Sequence, residues 1–354
     1  PPWLGGDSAG ESAYFLAANR NKRSLTVDLG TPRGQELIRE LATRADVLIE
    51  NFRSGTMAAF GLDHPTLEVL NPQLIYCSIT AYDSQSSKAG EPGYDAMVQA
   101  SAGLMSITGA PDSEGGGPQK VGVAIADLMT GMYASTAILA ALNHREKHGG
   151  GQYIEVPLYD AQVAWLANQA MNYLVGGEVP VRLGNAHPNI VPYQSFATSD
   201  SHLMLAVGND AQFRRCLTCL DLDDLAADQR FANNEVRVAH RDELTGLLAE
   251  KFAQHSTAHW LQALNVAQVP CGPINDLASV FNDPYAREQE LVRRQAHPHA
   301  DELPAVANPV RFGLTPVSYT LAPPLLGENS DAVLREWLGY SADSISQLRD
   351  SGAI

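Results

Sequence analysis

The chain has 354 residues, 45% of them apolar and 18% charged, which is enough for a sizeable core and excludes a disordered chain. At roughly 100–200 residues per domain, two domains are expected. Lys and Arg number 24 against 40 Asp and Glu, a formal charge of −16. That balance excludes a general binder of nucleic acid or acidic membrane, because phosphate recognition needs clustered positive charge. Only four cysteines occur, which argues against a disulfide scaffold and points to a reducing, cytoplasmic setting. No uninterrupted apolar run of about 18 residues is present, so neither a membrane span nor a signal peptide is expected.

Residues 1–18 are rich in Gly and Ser and read as a loop. Residues 25–29 alternate like a short strand, and 32–44 carry Leu37, Ile38 and Leu41 on one helical face behind a Pro start. The apolar run 46–50 reads as a buried parallel strand. Short helices follow over 55–60 and before Asn71, then a strand over 74–79. Strand and helix alternate at βαβ spacing, which predicts a parallel α/β sheet. Residues 81–93 form a polar loop, 95–107 a helix and 109–117 a Gly/Pro loop. Next come an apolar run over 121–126, a long apolar helix over 128–145 ended by Gly149-Gly150-Gly151, a strand over 153–158 and a helix over 160–175. After Gly176 the character changes: a hairpin over 196–207 turns at 199–201, and mostly amphipathic helices run over 210–292. Residues 297–327 are Pro-rich and read as a wrapping linker, and 331–349 as one or two terminal helices. The expected organisation is a large α/β domain over 1–180, a small α+β domain over 190–300, and a linker and C-terminal helix over 301–354 that return to the first.

Several motifs carry less than they promise. Gly6-Asp7-Ser8-Ala9-Gly10 matches G-x-S-x-G, but a hydrolase elbow needs a strand before the Ser, and Pro1-Pro2-Trp3 stands there instead. Cys216 and Cys219 make one C-x-x-C within a helical stretch, without the second pair that a structural zinc site needs, and read as buried helix cysteines. No metal site is expected. No G-x-G-x-x-G follows a strand and no P-loop occurs, which disfavours nicotinamide and Walker-type nucleotide chemistry. His187, His297 and His299 stand near prolines in loops.

Two aspartates are informative. Asp127 and Asp160 each follow an apolar run and open an apolar helix. Such an Asp caps free backbone N–H groups, and the helix dipole favours its ionised form. The same physics makes a carboxylate at a strand end a ready nucleophile with oxyanion donors beside it, where ligands of open α/β sheets gather. Spacing does not choose between the two.

The chain resembles the class III CoA-transferases, a family that includes formyl-CoA transferase and carnitine CoA-transferase. The resemblance spans nearly the whole chain. It is carried by Asn19-Arg20-Asn21-Lys22-Arg23-Ser24, by Ala45-Asp46-Val47-Leu48-Ile49-Glu50-Asn51-Phe52-Arg53-Ser54-Gly55, by Pro92-Gly93-Tyr94-Asp95, by Ala126-Asp127-Leu128-Met129-Thr130-Gly131, by Gly149-Gly150-Gly151-Gln152 and by Gly327-Glu328-Asn329. The stretch 184–210, with His187-Pro188-Asn189-Ile190-Val191-Pro192-Tyr193, looks most like the succinate–hydroxymethylglutarate branch.

The resemblance implies a Rossmann-like large domain, a smaller domain and an interlocked homodimer. It implies transfer of CoA from an acyl-CoA, such as succinyl-CoA, to a free carboxylic acid, with CoA thioester as substrate and no tightly bound cofactor. Asp127 would be the nucleophile. CoA would lie along Val27 to Gly30, against Asn51, Phe52 and Arg53, and near Tyr94, with Asp95 beside the reacting acyl group. The loop with Gly184 and His187 matches a flap over the site. Relatives open with a strand and loop that this chain, which starts at Pro1, is expected to lack. Gly30 and Ala59 stand where relatives often place cations against CoA phosphates, so Arg20, Lys22, Arg23 or Arg53 would take that role. Tyr94 replaces the His that the family's racemases use to move an α-proton, which weakens a racemase or epimerase reading. A non-catalytic acyl-CoA-binding relative is the other alternative.

Overall fold

The computed structural model describes residues 3–4 and 10–354. The G-x-S-x-G match therefore lies outside the described residues, apart from Gly10. By contacts the chain divides into two compact units, residues 1–98, 125–162 and 277–354 in one, 99–124 and 163–276 in the other.

The first unit is built on a three-stranded parallel sheet, with Ile75–Thr80 between Val47–Glu50 and Gln152–Pro157. Val47 lies opposite Ile75, and Ile75 opposite Gln152, so the carboxyl ends of all three strands point the same way. The central strand is buried because both faces are covered. Its Cys77 and Ile79 meet Ala134, Ile138 and Leu142 of the long helix Ile125–His148. On the other face Tyr76 packs with Met57, Leu62, Leu67 and Leu74. The long helix buries Ala126, Thr130, Ala134, Ile138 and Ala141, a stripe of mostly small residues at helical spacing that lets it approach the sheet closely. The helix ends on a glycine run, and Gly151 is the member that the fold demands. A Cβ there would stand 2.0 Å from the carbonyl oxygen of Leu74.

The C-terminal helices Ser330–Leu338 and Ala342–Asp350 close the first unit against the helix Pro32–Ala42, through Leu37, Leu334, Ile345 and Leu348. The second unit packs a three-stranded antiparallel sheet (Tyr193–Ala197, His202–Ala206, Cys271–Pro273) against helices. Its core holds Phe196, Leu203, Leu205, Phe213, Leu217, Leu248, Phe252 and Trp260.

Some local expectations are corrected. Residues 25–29 form no strand and join no sheet; Ser24 N–H and Asp28 N–H bond instead to Asn329 Oδ1 and Ala353 O, which turns the segment toward the C-terminal helices. The single helix expected over 160–175 is two, Leu158–Ala164 and Ala167–Gly176, broken where Ala167 takes φ 46°. The supposed linker after 297 begins with a strand: Val292–His297 and Ala300–Val306 pair as an antiparallel hairpin. The helix Ile125–His148 is long and apolar enough to cross a membrane by length and composition alone. It covers one face of the parallel sheet, which accounts for part of its apolar character.

Candidate active site

The carboxyl ends of the parallel strands open into a cavity of about 620 Å³. Each strand delivers residues to it by running out there: Asn51, Phe52 and Arg53 after Glu50, Ala81 after Thr80, and Leu158 after Pro157. The loop over 81–93 and the start of the helix Asp95–Ser101 add Tyr94 and Asp95. The first turn of the long helix adds Asp127, with Thr130 and Gly131 one turn further on.

Six residues singled out from the sequence thus meet in one place: Asn51, Phe52, Arg53, Tyr94, Asp95 and Asp127. Asp160, the rival of Asp127, is exposed in the first turn of Leu158–Ala164 and does not line the cavity. Tyr94 is 73% exposed and Arg53 is held to the loop by a bond from Nη2 to the Gly90 carbonyl at 3.3 Å.

The two carboxylates are coupled through the helix start. Asp95 Oδ1 accepts the Ala126 N–H at 2.8 Å, so a side chain from another element caps a first-turn donor of the long helix. Thr130 Oγ1 donates to the Ala126 carbonyl at 2.7 Å and steadies the same turn. The helix dipole alone would hold Asp127 ionised at low pH. The opposite direction prevails: partial burial, and then the charge of Asp95, push the Asp127 carboxyl above its ordinary value. Solvent still reaches Asp127 from the open side of the cavity.

The remaining sequence candidates are not among the residues that line this cavity. Val27 packs against the cluster of Leu37, Leu334 and Ile345 and does not line the cavity. Gly30 N–H bonds to Asp28 Oδ1 at 2.8 Å, and Ala59 ends the short helix Thr56–Ala59. Of the cations considered for phosphate, Arg20 donates to the Val306 carbonyl and lies over the Tyr319 ring, Lys22 bonds Asn19, and Arg23 pairs with Glu336 at 2.7 Å. Arg53 alone of the four lines the cavity.

Gly184 and His187 belong to the second unit. Gly184 N–H bonds to Gly109 O at 3.0 Å, and His187 N–H to Tyr193 O at 2.8 Å. The His187 ring stacks on Tyr193 at 5.3 Å, and Arg241 Nη2 donates to the His187 carbonyl at 2.8 Å. Burial, and then the charge of Arg241, lower the His187 pKa, which favours the neutral ring. Asn234 Nδ2 ties the Asn189 carbonyl at 2.8 Å, so the loop is fastened repeatedly within its own unit.

Cys216 is buried in the helix Asp210–Cys219, where burial pushes its thiol up to about 12. His297 is buried in its strand and accepts a bond from the His299 N–H at Nδ1. Thr130, Gly131 and Leu158 line the cavity without having been singled out as site residues. Helical spacing from Asp127 was the signal available for the first two.

The sequence profile of CoA-transferase family III matches residues 2–330. The chain is 46% identical over 325 residues to a succinate–glutarate CoA-transferase of Agrobacterium fabrum (strain C58), covering 92% of this chain and 80% of that protein. It is 38% identical to a succinyl-CoA:glutarate CoA-transferase of Homo sapiens, over 100% of this chain and 79% of that one. Among solved structures, a CAIB/BAIF family protein from Brucella suis superposes with a TM-score of 0.83 at 43% identity, covering 95% of this chain and 87% of that chain.

Proposed function

Since the chain belongs to CoA-transferase family III, we propose that it moves CoA from an acyl-CoA to a free carboxylic acid with Asp127 as the covalent nucleophile. The observation that carries this reading is the meeting of Asp127, Asp95 and Arg53 in one cavity at the carboxyl ends of the parallel strands. The relatives named for succinate and glutarate support a dicarboxylic pair, with succinyl-CoA as donor and a glutarate-like acid as acceptor.

In the first step the Asp127 carboxylate attacks the thioester carbonyl, the C–S bond of the adduct breaks, and a mixed anhydride and CoA thiolate result. The thiolate then attacks the Asp127 carbonyl of that anhydride, releasing the donor acid and leaving an aspartyl-CoA thioester. The acceptor carboxylate displaces the thiolate again to form a second anhydride. Thiolate attack on the acceptor's carbonyl yields the new acyl-CoA and restores Asp127. Each step passes through an oxyanion. First-turn N–H groups of the long helix are suited to hold it, and one such donor contributes about 2.7–4 kcal/mol. Asp95 occupies the Ala126 N–H, which leaves the other first-turn donors for the oxyanion.

A homodimer belongs to the same reading. The long helix leaves Leu128, Met132 and Leu139 exposed, and the apolar helix Ala167–Gly176 buries no residue, so both offer apolar surface for a second copy. Light scattering of the purified protein tests it.

Incubating the protein with succinyl-CoA alone, then quenching, digesting and weighing the peptide that contains residue 127, tests the chemistry. A CoA adduct on that peptide, absent in Asp127→Ala, is expected. An unmodified peptide from protein that demonstrably forms product would overturn the assignment.

A further inference from the structure

Gly131 sits one helical turn beyond Asp127, on the same side of the long helix, and both line the cavity. Glycine in the interior of a 24-residue helix weakens it relative to alanine, so its presence asks for a reason. The backbone supplies none, since Gly131 is not among the glycines with positive φ. Packing supplies none either: beyond its chain neighbours and its own helix backbone, a Cβ built at 131 meets no heavy atom of the described residues within 4 Å. Gly93, which lines the same cavity, is different, because its Cβ would stand 2.4 Å from the Ala81 Cβ. The fold excludes a side chain at Gly93, and nothing among the described residues excludes one at Gly131.

We infer that Gly131 is a specificity-determining residue: the space left by its missing side chain takes the carbon chain of the carboxylic acid whose carboxyl group reacts at Asp127. The inference rests on the proposed function and deepens it by naming what limits the acid's length. Leu158, at the end of the strand Gln152–Pro157, and Thr130 line the same cavity, so room for a chain depends on the residues of this helix turn staying small. A methyl group at 131 removes space from the acid and leaves the carboxylate chemistry of Asp127 untouched.

The test compares Gly131→Ala and Gly131→Val with the parent, using succinyl-CoA as donor and oxalate, succinate and glutarate as acceptors. The ratio of kcat/KM for glutarate to that for oxalate is expected to fall roughly 10-fold in Gly131→Ala, the scale on which one methylene is discriminated, and further in Gly131→Val. The melting temperature of Gly131→Ala is expected to equal or exceed the parent's. An unchanged ratio overturns the inference, whether the activities stay the same or fall equally for all three acids; the equal fall assigns the space to the CoA arm. A variant that does not fold overturns it too, because the fold would then need the glycine. A parent that transfers CoA to no acid overturns the functional reading and this inference together, whereas an unchanged ratio in an active variant overturns this inference alone.

Discussion

Asp95 Oδ1 accepts the backbone N–H of Ala126 at 2.8 Å, and this bond sets a second carboxylate beside Asp127 at the start of the long helix. The charge of Asp95 is one of the two causes that raise the Asp127 pKa; burial is the larger. A nucleophilic carboxylate must be ionised, so activity is lost as pH falls through the raised value. Asp95→Asn is expected to shift the acid limb of kcat/KM toward lower pH. The amide oxygen can accept the same Ala126 N–H, and Asn caps about as well as Asp, so little loss of stability is expected. A pH–rate profile and a thermal melt check the two effects separately.

The same shift has a consequence for stability. A carboxyl whose folded pKa lies above its ordinary 3.8 adds stability below that ordinary value and loses it as pH rises through the folded one. Asp127→Asn removes that loss. The variant is expected to melt at a higher temperature than the parent at pH 7, with the difference shrinking as pH approaches 3.8, while transfer is abolished. Calorimetry across pH decides it, and a lower melting temperature at pH 7 would contradict the raised pKa.

Arg53 lines the cavity, whereas Arg20, Lys22 and Arg23 are engaged with Val306, Asn19 and Glu336. If Arg53 grips a CoA phosphate, Arg53→Ala loses a charge-assisted bond of about 1.5–3 kcal/mol. KM for succinyl-CoA is then expected to rise roughly tenfold or more. KM for a succinyl thioester of N-acetylcysteamine, which has no phosphate, is expected to stay put. Steady-state kinetics with both donors separates phosphate binding from a general disturbance of the loop.

Gly151 sits where the chain enters the last parallel strand, and a Cβ there would meet the Leu74 carbonyl carbon at 2.5 Å as well as its oxygen. Both are backbone atoms next to the paired residues Ile75 and Gln152, so relief requires parting the sheet. Gly151→Ala is expected to cost about 1–3 kcal/mol. Denaturant unfolding measures it.

Arg237 is only 1% exposed at the heart of the second unit. Its guanidinium bonds to Val191 O at 2.9 Å, Phe231 O at 3.1 Å and Asp210 Oδ1 at 2.7 Å, and lies 4.4 Å from the Phe213 ring centre. Arg237→Ala leaves two carbonyls without their donor and opens a cavity, and is expected to cost about 3 kcal/mol or more. Arg237→Lys, which cannot reproduce the fork, is expected to recover little of it. Unfolding curves of the two variants check the order.

Much of the sheet was legible because its strands are short apolar runs at βαβ spacing: residues 46–50 and 74–79 announced Val47–Glu50 and Ile75–Thr80 closely. Residues 25–29 misled because alternation reports one buried face and not a strand partner; Leu25 and Val27 pack with Leu334 and Ile345, more than three hundred residues away in sequence. The break at Ala167 was hidden because nothing in the composition of 160–175 marks a residue of positive φ.

The sequence by itself determined which residue types stand at strand ends and helix starts, because periodicity, caps and glycine stops are local and short-range. Local chemistry alone could not separate Asp127 from Asp160, since both open helices in the same way; the resemblance of the surrounding motifs to the CoA-transferases favoured Asp127. Only the tertiary structure set Asp127 in the cavity with Asp95 and left Asp160 in solvent. Nor could the dipole argument foresee the direction of the Asp127 shift. Desolvation and the charge of Asp95 depend on which elements fold around the carboxyl, and the helix dipole acts on it from its own turn alone.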